Sequence, residues 1–80
     1  MGASATGQAK GKATARALLA ANVVALRRAK ELSQEALAFD AGLHRTFVAH
    51  VERQVRNISI DNIEKLATAL GVEPFELLKP

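Results

Sequence analysis

Eighty residues carrying a net charge of +3 are enough for one domain, and a chain this short buries only about 60% of its unfolded surface on folding. With no cysteine, a disulfide framework and a thiolate metal site are both excluded, a composition that suits a reducing cytoplasm. Three Phe without Tyr or Trp argue against single-stranded nucleic acid held by aromatic stacking, and no apolar run has the length of a membrane span or the character of a signal peptide.

Residues 1–13 hold nothing apolar larger than Ala after Met1, and Lys10 and Lys12 make the stretch basic; it reads as a flexible arm ahead of one domain over 14–80. A helical period begins at Thr14, with Leu19, Val23, Leu26 and Lys30 on one stripe and Ala15 and Leu18 beside it. Leu32 leaves that helix, and Ser33 caps a short second one over about 34–41 that turns Leu37, Ala38 and Ala41 inward. Gly42 stops it, since glycine takes the left-handed backbone of a tight corner without cost. A third helix from His44 or Arg45 to Arg53 buries Val48 and Val51. Ser59 caps a fourth, with Ile60, Ile63, Leu66, Ala67 and Leu70 inward and Gly71 at its end. Pro74 opens a fifth short helix carrying Phe75, Leu77 and Leu78. The expected architecture is therefore all-α, a compact five-helix domain.

Charge is unevenly spread. Arg27, Arg28, Lys30, Arg45, Arg53 and Arg56 face four acids between positions 27 and 57, whereas from Ile58 onward Lys65 and Lys79 meet Asp61, Glu64, Glu73 and Glu76. A basic front and an acidic end suit a polyanion on one face. The informative stretch is Ser33 to Arg53, a short helix, a glycine corner and a second helix. Ala38 is small enough for close approach, while Leu43, Val48 and Val51 tie the second helix down. The face left free carries His44, Arg45, Thr46, Ala49, His50 and Arg53. Arg pairs bidentately with guanine, and Thr bonds base edges or touches a thymine methyl.

From Val23 to Leu78 the words LRRAKELSQEALA, AGLHRTFVAHVER, RNISIDNIEKLATALGV and FELL resemble the Cro/C1-type (XRE) helix-turn-helix family. The likeness is greatest to restriction-modification controllers and similar small stand-alone regulators. It implies a fold of the lambda-repressor-like DNA-binding type with a central helix-turn-helix. Carried over by position, it implies that Gln34 donates to a DNA phosphate and that Arg45, Thr46 and His50 face base edges, with Ala49 an apolar contact. His44 lies near the backbone or first base, while Arg53, Arg56 and Asn57 meet phosphates. Arg27 and Glu52 match a structural salt bridge between the first and third helices. The sequence departs from the family pattern at Gln54, where glycine is usual and a left-handed backbone costs a larger residue about 1 kcal/mol. It departs again at Phe39, which either packs against Phe47 or is an exposed contact.

The functional expectation is a transcriptional regulator without cofactor or metal, pairing through Phe75, Leu77 and Leu78 into a homodimer. Two recognition helices about 34 Å apart then read a roughly palindromic operator in double-stranded DNA. RNA polymerase is a further partner of such a protein. The rival reading is an antitoxin that also binds a toxin, or an adaptor using the same fold for protein contacts. No paired carboxylates, nucleophile with its base or phosphate loop supports an enzyme.

Overall fold

A computed structural model describes residues 14–80; the expected arm over 1–13 lies outside the described residues. Four α-helices follow one another: α1 (Ala15–Ala29), α2 (Gln34–Ala41), α3 (Arg45–Glu52) and α4 (Ile60–Leu70), closed by a 3-10 turn, Pro74–Leu77. Every α-helix has a side-chain cap in extended backbone. Thr14, Ser33 and Ser59 accept from the amides of Ala17, Ala36 and Asn62, and the imidazole of His44 accepts from that of Thr46.

The four helices also end alike. At each C-terminus the sixth residue bonds back to the first across a left-handed residue: Leu32 to Arg27, Leu43 to Ala38, Val55 to His50 and Val72 to Ala67. The left-handed residues are Glu31, Gly42, Gln54 and Gly71, with φ of 58°, 70°, 63° and 74°. Glycine fills only two of these four positions. At Gly42 a Cβ would meet nothing within 4 Å, so it is backbone preference rather than space that favours glycine there.

The core gathers Leu19 and Val23 from α1, Leu37 and Ala38 from α2, Val48 and Val51 from α3, Ile63, Leu66, Ala67 and Leu70 from α4, and Leu77. Helix α2 packs on both α3 and α4, and α1 crosses α3. The recognition segment is thus held from behind by two helices.

Three expectations are corrected. The fifth helix is a single 3-10 turn, so the described residues form four α-helices. Its bonds run from the amide of Glu76 to the carbonyl of Glu73 and from that of Leu78 to Phe75, three residues apart. Asn22 then donates to the carbonyls of Leu77 and Lys79 at 3.0 and 2.9 Å, which ties the end of the chain to α1 and takes up carbonyls that a continuing helix would use for its own bonds. Ile60, on the inward stripe of α4 by period, is 77% exposed. Helical side chains lean toward the N-terminus, so one in the first turn overhangs the end of the packing surface. Ala15, the first residue of α1, is exposed for the same reason, and Lys30, the residue that caps its far end, is exposed as well.

Candidate nucleic-acid interface

Helix α3 has two unlike sides. Val48 and Val51 are buried, and Phe47 packs partly against the core. On the other side Arg45, Thr46 and Arg53 are exposed, and Ala49 and His50 half-buried. These five residues line one open groove with Arg27, Ser33, Gln34 and Glu35 from the preceding helices. The residues expected to read bases, Arg45, Thr46, Ala49 and His50, are therefore brought together on one surface.

The groove floor is a charged knot. Arg27 Nε and Nη2 donate to the two carboxylate oxygens of Glu52 at 2.6 and 3.0 Å, and its Nη1 donates to the carbonyl of Leu32 at 2.9 Å. Gln34 Nε2 donates to Glu52 Oε1 at 2.7 Å. One carboxylate on α3 thus ties down α1 and the start of α2, while Arg27 itself holds the turn between them. The side chains of Arg27 and Glu52 are only 11% and 7% exposed, so the ions are withdrawn from water but paired and hydrogen-bonded. Sequence reasoning missed the Gln34 bond. It occupies one amide hydrogen of Gln34 and fixes where the other can point.

His44 is the cap of α3, and the ring nitrogen that accepts from Thr46 is committed to the fold. Arg45 lies 3.7 Å from Glu35 with both side chains largely in water, a pair that contributes little to stability and leaves the guanidinium free to move. Past the end of α3, Arg56 sits over the ring of Phe47, 5.4 Å from its centroid, and 3.5 Å from the imidazole of His50. Asn57 is exposed and accepts from Arg16 at the start of α1. Sequence reasoning gave Arg16 no role in the site; its partner lies 41 positions away, and no local signal marks it.

Phe39 is 85% exposed and lies beside Leu43, His44 and Arg45, so it does not pack against Phe47. Of the three residues expected at a dimer contact, Leu77 is fully buried within the monomer and can offer nothing to a partner, whereas Phe75 and Leu78 reach the surface. Among the described residues no set of three His, Asp or Glu stands close enough to hold a metal ion, and no helix is long and apolar enough to cross a membrane.

The helix-turn-helix family pattern HTH_3 matches residues 23–77. Control protein C.BamHI of Bacillus amyloliquefaciens is 57% identical over 47 residues, 59% of this chain and 58% of its own length. A Neisseria meningitidis protein described as a hypothetical transcription factor is 52% identical over 65 residues, 81% of this chain and 61% of its own. The chain thus spans about three-fifths of these two relatives. Among solved structures, the restriction-modification controller C.AhdI from Aeromonas hydrophila superposes with a TM-score of 0.75 at 53% identity, covering 78% of this chain and 94% of that one. The matched segment runs from the middle of α1 to the closing turn, with the groove at its centre, and the chain belongs to the Cro/C1-type (XRE) helix-turn-helix family.

Proposed function

We propose that the chain is a sequence-specific double-stranded DNA-binding transcriptional regulator of the restriction-modification controller kind. The observation that carries this is the outward side of α3, where Arg45, Thr46, Ala49, His50 and Arg53 stand on a helix whose valines are locked to the core. A major groove about 12 Å wide admits one helix, and a helix held rigidly from behind presents its side chains in a fixed register. Arg45 and Thr46, in the first turn, enter deepest and pair with base edges, Arg45 leaving Glu35 to do so. Ala49 meets an apolar base edge, and His50 a base or phosphate. Arg53, Arg56 and Asn57 grip the backbone on one side and Gln34, through its second amide hydrogen, on the other. His44 orders the start of the helix and reaches the backbone through its other ring nitrogen.

A second copy completes the regulator. Phe75, 67% exposed, and Leu78 form the apolar surface through which two protomers pair, setting their α3 helices about one turn of B-DNA apart. Bound beside a promoter in the cytoplasm, the dimer acts on transcription by blocking or recruiting RNA polymerase. Selection from random duplexes tests the reading: enrichment of an inverted repeat is expected, whereas retention of all sequences alike would reduce the protein to a charged surface. Sedimentation of the unbound protein as a monomer at tens of micromolar would remove the pairing surface.

A further inference from the structure

Two of the described basic residues, Arg16 and Arg56, lie beyond the groove and share one hollow. Arg56 is beside His50 and over Phe47, which places it against the flank of α3. Arg56 and Asn57 line a depression together with Arg16, from the first turn of α1. Arg16 Nη2 donates to the side-chain oxygen of Asn57. A guanidinium has five N–H donors and that bond uses one, so Arg16 keeps its charge and most of its hydrogen-bonding capacity facing solvent. Its side chain is exposed, and among the described residues no carboxylate lies within ion-pair distance of it.

We infer that Arg16 is a phosphate-positioning residue, a contact from α1 that extends the backbone grip of Arg56 and Asn57 beyond the recognition helix. The inference rests on the DNA-binding reading above. The physical reason is continuity. The groove holding Arg45, His50 and Arg53 joins the hollow holding Arg56 and Arg16 through the His50–Arg56 contact; Glu35, paired with Arg45, is the one exposed acid among the residues lining these two hollows, whereas the acids Asp61 and Glu64 of α4 lie elsewhere, beside Asp40 and Lys65. A duplex lying along α3 would run its phosphates past both hollows. The bond to Asn57 also fixes the planar Arg16 fork, so less side-chain entropy is lost when it meets an anion. The contact carries no base information, so it affects register and salt dependence and not the preferred sequence.

The test is a salt series of duplex affinity with Arg16→Gln, Arg16→Lys and Asn57→Ala, each on the selected site and on a random duplex, with thermal unfolding alongside. Arg16→Gln removes the charge yet retains an N–H donor. It is expected to weaken both duplexes by the same factor, roughly three- to tenfold per protomer, and to flatten the slope of log affinity against log salt by about 0.9 per protomer, about 1.8 for the dimer. Arg16→Lys should restore the slope. Asn57→Ala should keep the slope contribution of Arg16 while weakening binding, and none of the three should move the unfolding midpoint appreciably. An unchanged slope in Arg16→Gln, a loss confined to the selected site, or a loss explained by a lower unfolding midpoint each overturns the assignment. Arg45→Ala serves as the control. If it relaxes base preference while Arg16→Gln does nothing, only the Arg16 contact fails; if neither variant changes binding, or the wild type binds no duplex, the DNA-binding reading fails with it.

Discussion

The two sides of α3 share eight residues and have nothing else in common. The inner side is saturated: Val48 and Val51 are closed off from water, and both oxygens of Glu52 are taken by Arg27 and Gln34. The outer side is almost without intramolecular partners, its one ion pair being the long, solvated contact of Arg45 with Glu35. The difference teaches a division of labour. A side chain that must bind something else keeps donors to spare, and the helix that carries it draws most of its rigidity from the buried side.

Substitutions on the two sides should therefore separate stability from binding. The largest effect is expected on the inner side. Glu52→Ala leaves Arg27 withdrawn from water without its counter-ion and should cost about 3–5 kcal/mol of folding stability, read from the midpoint of urea unfolding. A cost below about 1 kcal/mol would mean that the knot is not what holds α3 in place. On the outer side, Arg45→Ala should leave unfolding within about 0.5 kcal/mol of wild type and lose about 1–3 kcal/mol of affinity for the selected duplex, with relaxed preference at one base pair. Equal losses in folding and binding would erase the comparison.

Smaller effects sharpen it at the helix ends. Gln54 holds the left-handed position just past α3, so Gln54→Gly should raise stability by about 1 kcal/mol, and Glu31→Gly past α1 should do likewise. Gly42→Ala, in the same backbone conformation but with open space for the new methyl, should lower stability by a similar 1 kcal/mol. Calorimetric midpoints of the three variants check this. If Gln54→Gly instead destabilised the chain, a contact of the Gln54 side chain would have to outweigh its backbone strain.

Much of this was legible in the residues because helix boundaries are local. Ser33 and Ser59 could be recognised as caps and Gly42 and Gly71 as stops from a few neighbours each, and the apolar period placed Val48 and Val51 on one side of α3. With that side assigned, the opposite side followed by geometry, so Arg45, Thr46, Ala49 and His50 could be grouped before any coordinates existed. The family likeness added roles to residues already grouped, and it supplied the Arg27–Glu52 pairing, which 25 positions of separation would otherwise have hidden.

Local order alone, then, settled where four helices begin, where glycine stops two of them, and the main apolar flank of each. The folded arrangement decided the rest: that Ile60 overhangs the core while Leu77 enters it, that Asn22 ties the last turn to α1, that Gln34 is spent partly on Glu52, and that Arg16 meets Asn57. The physical reason is that periodicity reports the angle of a side chain about its own helix axis. Whether another element stands opposite, and what partner it brings, depends on how the helices are stacked.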